Sequence, residues 1–167
     1  NLVGIYNLDN VLAAIAVGTH FQVPPEDIKA AIEDYRPTNN RSQTLKLKSN
    51  TFILDAYNAN PSSMSAALQN FEQITAAKKV VILGDMLEMG EYSHAEHLAI
   101  LKQVEKMNLQ HIILVGKEFG KVASEIDNVL HFETAILAKT WFEQQDFSDT
   151  HFLVKGSRGI ALEEVLQ

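Results

Sequence analysis

The chain has 167 residues and no cysteine, which excludes disulfides, thiolate nucleophiles and cysteine-ligated zinc. Its net charge of −7 argues against binding to duplex nucleic acid, and no apolar run is long enough to cross a membrane. The length allows one domain, or one domain with a fragment of a neighbour. Because the first residue is Asn1 and not methionine, we expect this end to result from a cut, the removal of a tag or missing density.

Two helices are predicted at the start of the chain. Apolar residues follow the helical period over residues 8–20, at Leu8, Val11, Leu12 and Ile15. A second helix is predicted to begin at Pro24-Pro25-Glu26-Asp27, because proline and acidic residues are typical of a first helical turn. Residues 36–40 then interrupt the pattern, so we place a domain boundary there, between residues 1–35 and 36–167.

The rest of the chain alternates predicted strands and helices. Residues 44–48 and 51–54 form a predicted β-hairpin, and buried strands are indicated by the apolar runs at residues 79–83, 111–115, 128–132 and 150–154. The amphipathic helices between them are marked by Met64 to Phe71, Leu98 to Val104, Phe119 to Ala123, and Ile136, Leu137, Thr140 and Trp141. This order predicts an α/β fold with an open, doubly wound, mostly parallel sheet.

Polar side chains collect after three of these strands. They are Asp55, Tyr57, Asn58 and Asn60 after the second strand, Asp85 and Glu88 after the third, and Lys155, Ser157 and Arg158 after the last. Ligands of open α/β sheets bind at the carboxyl ends of the strands, so these side chains predict a site for a carboxylate or phosphate. Residues 36–56 carry a net charge of +3, which suits a small anion such as a nucleotide. For any single loop, however, a turn and a helix cap explain the same residues.

Other known sites fit the sequence poorly. The Gly116-Lys117 pair lacks the remainder of a phosphate-binding P-loop, and no glycine-rich dinucleotide fingerprint follows a strand. His94 and His97 have a spacing that metal ligands use, but a solvated helix face is the interpretation that we favour. Asp55 has the strand-end position of a phosphoacceptor, yet the acidic pair which that chemistry also needs is missing.

Three motifs together resemble the Mur ligase family. They are Asp55-Ala-Tyr-Asn-Ala-Asn-Pro61, Leu83-Gly-Asp-Met-Leu-Glu-Met-Gly90 and Lys155-Gly-Ser-Arg158, in the family's order and spacing. Residues 6–14 resemble the helix that ends the family's central domain, with Tyr6 in place of the usual histidine. The resemblance covers essentially the whole chain. It implies that residues 1–35 are the last helices of a central ATP-binding domain, and that residues 36–167 form a Rossmann-like substrate and lid domain.

The resemblance also implies an activity. Enzymes of this family form amide bonds with energy from ATP, and the member that these motifs resemble adds D-Ala-D-Ala to UDP-N-acetylmuramoyl-tripeptide through an acyl phosphate. The implied cofactors are ATP and Mg²⁺, with the P-loop and magnesium sites upstream of Asn1. The chain is therefore expected to be inactive alone, to act in the cytoplasm in peptidoglycan precursor synthesis, and to need its missing domains as partners.

The family pattern assigns roles to individual residues. Those implied to bind ATP are Asn10, Arg41, Asp55, Tyr57 and Asn58. Those implied to bind the incoming dipeptide are Asn60, Asp85, Glu88, Lys155, Ser157 and Arg158. No catalytic residue and no metal ligand is assigned within the chain. Two alternatives remain at this point: a freestanding, flavodoxin-like module that binds a nucleotide or small molecule, and an interaction domain that uses its acidic surface.

Overall fold

A computed structural model describes residues 7–36 and 41–167. It begins with helices α1 (Leu8–His20) and α2 (Pro25–Asp34), both of which the sequence predicts. Pro25 lies in the first turn of α2 with Glu26 and Asp27. The N–H that proline lacks would have no partner within the helix at this position, and the acidic side chains interact favourably with the positive end of the helix dipole. Tyr6 of the family motif and residues 37–40 of the predicted boundary lie outside the described residues.

A sheet of six strands follows. The strands are β1 (Gln43–Leu47), β2 (Asn50–Asp55), β3 (Lys78–Gly84), β4 (His111–Val115), β5 (Val129–Phe132) and β6 (Thr150–Lys155). Their order across the sheet is β1-β2-β6-β3-β4-β5. Only β1 and β2 pair antiparallel, as the predicted hairpin, whereas the other neighbours are parallel. The predicted α/β class and mostly parallel sheet are confirmed.

Helices cover both faces of the sheet, as a doubly wound fold requires. They are α3 (Pro61–Gln73), α4 (Ser93–Glu105), the short α5 (Lys117–Gly120) and α6 (Ala135–Phe142). Leu68 of α3 and Leu101 of α4 belong to the core on one face, which also contains Val81 of β3. The opposite core contains Phe52, Phe152 and residues of α6. Residues of β3 alternate between these two cores, which explains why its sequence is continuously apolar.

The buried face of α6 differs from the one that its apolar residues indicate. Ile136 is 68% exposed, and Leu137 is exposed as well. The helix instead buries the small residues Ala135 and Ala138, and Trp141 is only partly buried. Thr134 caps the helix by accepting a hydrogen bond from the N–H of Leu137. Small residues at the contact allow α6 to pack closely on the sheet, and this displaces its larger apolar residues to the outside.

Helices α1 and α2 bury no residue of their own. Large apolar side chains are exposed on or beside α1, among them Leu8, Leu12, Val17 and Phe21, which is 72% exposed. Several exposed large apolar side chains on one helix are unusual in a complete domain and mark an interaction surface. No helix within the described residues is long and apolar enough to cross a membrane.

Candidate functional site

The carboxyl ends of β2, β6 and β3 lie side by side. Asp55 at the end of β2 pairs in register with Lys155 of β6, and Lys155 pairs on its other side with Leu83 of β3. The chain passes from β2 through α3 to β3, but these two strands are not neighbours in the sheet, because β6 lies between them. Such a change in strand order opens a crevice at the carboxyl edge, which is where ligands of open α/β sheets bind.

A cavity of about 800 Å³ opens between this edge and the first two helices. The sheet side contributes Arg41, Ser42, Asp55, Tyr57, Asn58, Asn60 and Lys155, and the helix side includes Asn10, Val11 and Ile32. All five residues that the family pattern assigns to ATP therefore line one cavity. Of the residues assigned to the dipeptide, only Asn60 and Lys155 line it, whereas Asp85, Glu88, Ser157 and Arg158 do not.

A buried ion pair forms part of the cavity wall. The Lys155 ammonium lies 2.5 Å from Oδ2 of Asp55 and donates a second hydrogen bond to the carbonyl oxygen of Asn58 at 3.2 Å. The other carboxylate oxygen of Asp55 accepts a hydrogen bond from the N–H of Ser42 at 3.0 Å. The Asp55 side chain remains 16% exposed, so this carboxylate can still accept hydrogen bonds from a ligand.

Two guanidinium groups lie close to the ring of Tyr57. The Arg41 guanidinium carbon is 3.9 Å from the centre of the Tyr57 ring, and that of Arg158 is 5.4 Å away. Hydrogen bonding to Arg41 and its charge, then the charge of Arg158, lower the pKa of Tyr57 from its usual value of 10.0. Two cations from segments far apart in sequence thus meet at one ring. Together they form a site that can bind a phosphate or a carboxylate.

Asn60 and Asn10 each take part in a local hydrogen bond. The Asn60 side-chain oxygen caps α3 by accepting the N–H of Ser63 at 2.8 Å, and the Ser63 hydroxyl accepts the N–H of Asn60 in return. The cap orients the start of α3 beside the cavity. On α1, the exposed Asn10 amide donates to the side-chain oxygen of Asn7 at 3.2 Å.

Two of the residues assigned to the dipeptide are buried and bind the chain's own backbone. The Asp85 carboxylate accepts hydrogen bonds from the N–H groups of Glu118 and Phe119, at 2.9 and 2.8 Å. The Ser157 hydroxyl accepts the N–H of Leu87 at 3.0 Å, and the N–H of Ser157 donates to the carbonyl of Asp85. These contacts hold the loops after β3, β4 and β6 together. Glu88 and Arg158, by contrast, are exposed.

His97 is a buried residue that the sequence analysis placed wrongly on a solvated helix face. Its side chain is 0% exposed, and its Nε2 accepts the N–H of Met86 at 3.0 Å. Its Nδ1 lies 2.7 Å from the carbonyl oxygen of Ser93, so Nδ1 carries the proton. Leu101 and Val104 follow it at helical spacing, and that pattern could have revealed the buried position. Within the described residues no group of three possible metal ligands occurs.

The motifs that line this edge match a known family over most of the chain. Residues 40–158 match the family described as "Mur ligase, glutamate ligase domain". The chain belongs to the Mur ligase family. That match includes β1 to β6 and the loops at their carboxyl ends, whereas α1 and α2 lie before it.

Individual Mur ligases resemble the chain beyond that range. It is 35% identical to the UDP-N-acetylmuramoyl-tripeptide–D-alanyl-D-alanine ligase of Treponema pallidum, over 98% of the chain and 37% of the relative. The enzyme of the same name from Bacillus subtilis is 33% identical, over 99% of the chain and 38% of the relative. A crystal structure of MurF from Acinetobacter baumannii matches with a TM-score of 0.84 and 30% identity, over 98% of the chain and 37% of that structure.

The chain therefore spans little more than a third of the length of these Mur ligases. Because α1 and α2 are included in the similarity, the relatives also contain equivalents of the two helices that form one side of the cavity. One side of the cavity is thus formed by the matched domain, and the other by α1 and α2, which precede that domain.

Proposed function

We propose that the chain is the C-terminal part of an ATP-dependent ligase that adds D-Ala-D-Ala to UDP-N-acetylmuramoyl-tripeptide. The names of the relatives from Treponema pallidum and Bacillus subtilis support this substrate pair. The observation that carries the proposal is the single cavity lined by the five residues assigned to ATP. In this proposal residues 1–35 end the preceding ATP-binding domain, and residues 36–167 form the lid.

The exposed apolar side chains of α1 support the proposal that the chain is part of a larger protein. Leu8, Leu12 and Val17 are the kind of side chains that a helix buries against the rest of its domain. In the proposed enzyme, the remainder of the central domain covers them and also supplies the P-loop. We propose that the enzyme acts in the cytoplasm, where ATP and nucleotide-linked substrates are available.

Five side chains form the proposed nucleotide side of the cavity. Asn10 presents an amide, which offers both a donor and an acceptor to the adenine edge. The Asp55 carboxylate accepts hydrogen bonds from the ribose hydroxyls. Arg41, together with Tyr57 and Asn58 on the adjacent loop, faces the phosphates. The family pattern assigns no metal ligand within this chain, so in this proposal the Mg²⁺ sites lie in the upstream domain.

The proposed dipeptide side is formed by exposed groups near the same edge. Arg158 provides a cation for the terminal carboxylate of D-Ala-D-Ala, and Glu88 provides an acid for its ammonium group. Asn60, which caps the start of α3, lines the cavity and is assigned to the dipeptide as well. Asp85 and Ser157, which bind backbone groups, orient these loops instead of contacting the dipeptide directly.

The proposed reaction has two steps. The γ-phosphoryl group of ATP is transferred to the tripeptide carboxylate, which gives an acyl phosphate and ADP. The dipeptide amine then attacks the acyl carbon, the bond to the phosphate oxygen breaks, and the amine loses a proton as phosphate leaves. An acyl phosphate is readily hydrolysed, so a lid that excludes water protects it. The cavity between α1, α2 and the sheet edge is where that closure occurs.

The test is kinetic and uses the full-length enzyme. Arg41→Ala and Asp55→Ala are expected to raise the KM for ATP by about tenfold or more, because each removes a charged hydrogen-bonding group. Arg158→Ala is expected to raise the KM for D-Ala-D-Ala more than that for ATP. Lys102→Ala, an exposed lysine on α4, is the control and leaves both constants unchanged.

Two results would contradict the proposal. Unchanged kinetics in both Arg41→Ala and Asp55→Ala would remove the assignment of the cavity to ATP. ATP-dependent turnover by the 167-residue chain alone would show that no upstream domain is required. NMR titration of this chain with D-Ala-D-Ala and with ATP tests the freestanding module, which requires shifts at the sheet edge without any other domain.

A further inference from the structure

Lys155 carries a buried charge in the middle of the sheet. The side chain is 2% exposed and lies at the end of β6, between β2 and β3. An ammonium group in such a place is costly unless it is paired and hydrogen-bonded. Both hydrogen bonds of this ammonium, to Asp55 and to the Asn58 carbonyl, are with the segment that follows β2 into the cavity wall.

Asp55 connects Lys155 to the segment that precedes β1. While Oδ2 contacts Lys155, Oδ1 accepts the N–H of Ser42. Ser42 directly follows Arg41, whose guanidinium lies against the ring of Tyr57. One ammonium group therefore holds Asp55, and Asp55 in turn holds the backbone that carries Arg41.

We infer that Lys155 is a positioning residue for the nucleotide side of the cavity. It acts through Asp55 and does not bind the carboxylate of the dipeptide. This inference rests on the proposed function. Without the ammonium, the Asp55 carboxylate has no counter-ion in a largely buried place and moves toward water. The N–H of Ser42 loses this acceptor at the same time, which loosens the backbone next to Arg41, so the effect falls on ATP and not on the dipeptide.

A double-mutant cycle in the full-length enzyme tests this coupling. Lys155→Met is expected to raise the KM for ATP about tenfold, as for a lost hydrogen bond to a charged group. The KM for D-Ala-D-Ala should stay within about twofold of the unmodified enzyme, and Lys155→Met should add less than about twofold to Asp55→Asn. A rise confined to the KM for D-Ala-D-Ala overturns the inference, as does an equal effect of Lys155→Met in both backgrounds.

Lys79→Met is the matched control. Lys79 lies near the start of β3, at the opposite end of the sheet, and its ammonium also donates two hydrogen bonds to backbone carbonyls, those of Glu72 and Ile74. It is expected to leave both Michaelis constants unchanged. Lys155→Gln provides a second variant, which removes the charge and shortens the side chain but keeps a polar group, in case Lys155→Met does not fold.

Amide hydrogen exchange in the 167-residue chain separates this inference from the proposed function. Exchange at the N–H of Ser42 is expected to accelerate about tenfold in Lys155→Met or Lys155→Gln, and not in Lys79→Met. An unchanged rate at Ser42 overturns the connection through Asp55. If the unmodified full-length protein fails to ligate D-Ala-D-Ala, the proposed function is wrong, and the Ser42 exchange rate still decides whether Lys155 acts through Asp55.

Discussion

The acidity of Tyr57 depends on one neighbouring side chain more than on any other. Arg41 lowers the pKa of this phenol most, and Arg158 lowers it less. We therefore expect Arg41→Ala to return the pKa of Tyr57 toward 10.0 and Arg158→Ala to cause a smaller rise. The measurement is the ring ¹³Cζ shift of Tyr57 followed against pH by NMR. An identical titration midpoint in Arg41→Ala would contradict the contact between the two side chains.

The same pKa shift has a defined effect on stability. Because the pKa of Tyr57 is lower in the folded chain than in the unfolded one, the folded state favours the phenolate. The stabilisation is present in alkaline solution, above the unfolded pKa, and is lost as the pH falls through the folded pKa.

His97 allows a test of a buried polar contact. His97→Leu removes the acceptor of the Met86 N–H and leaves that group buried without a partner. We expect a loss of about 1–3 kcal/mol in the free energy of unfolding, measured by urea denaturation. His94→Leu, on the exposed side of the same helix, should change it by less than about 0.5 kcal/mol. Equal effects of the two substitutions would refute the importance of the buried hydrogen bond.

Individual residues show how much of the candidate site could be predicted from the sequence. The family motifs assigned Asp55 and Tyr57 to ATP, and both line the cavity. The burial of Lys155 could not be predicted, because its partner Asp55 is 100 residues away and meets it only when β2 and β6 pair. The burial of Asp85 could not be predicted either, since the N–H groups that donate hydrogen bonds to it belong to α5. A motif identifies residue types, but the direction of a side chain depends on the assembled sheet.

At the level of elements, Gly116 lets α5 approach the loop after β3. It precedes α5 with a φ of +118°, and a Cβ there would lie 2.3 Å from Oδ2 of Asp85. Gly116→Ala is expected to destabilise the chain by at least about 1–3 kcal/mol from backbone strain alone, with the displacement of Asp85 in addition. Urea denaturation followed by circular dichroism measures the loss.

Gly90 supplies the control for that substitution. Its φ is +54°, and a Cβ would meet nothing within 4 Å. Gly90→Ala should therefore cost only the ordinary penalty of about 1 kcal/mol for a left-handed residue. If the two alanine variants unfold at the same urea concentration, the close contact between Gly116 and Asp85 does not matter for stability.

The elements also differ in how well sequence patterns predict them. The strands β3, β4 and β6 are confirmed at almost the predicted residues, because a strand buried on both faces must be apolar throughout. Helix α6 is also confirmed, but its orientation is not the one that Ile136 and Leu137 indicate. Periodicity gives a helix its apolar side, and the neighbouring elements decide whether small or large residues face the core.

For the molecule as a whole, the proposal that α1 belongs to a larger domain predicts an effect confined to the full-length protein. Leu12→Asp should hardly change the stability of the 167-residue chain, because Leu12 is already exposed there. In the full-length protein it should lower the free energy of unfolding by about 1–3 kcal/mol, since it would bury a charge against the rest of the central domain. Thermal unfolding of both lengths provides the comparison.

Ile136→Asp is the counterpart of that variant. Ile136 is even more exposed than Leu12 in the described structure but lies on α6, far along the chain from the proposed domain boundary. It should leave the unfolding of both lengths unchanged. If Leu12→Asp behaves like Ile136→Asp in the full-length protein, α1 is not covered there, and the proposed assignment of residues 1–35 is wrong.

The position of β6 has a consequence for biosynthesis. It is the last of the six strands to leave the ribosome, yet it lies between β2 and β3. Until residues 150–155 emerge, those two strands have open edges that no earlier part of the sheet closes, and such edges are prone to pair with other nascent chains. The Asp55–Lys155 pair forms in the same final step. The strand that is synthesised last among the six therefore completes the sheet and the cavity wall together.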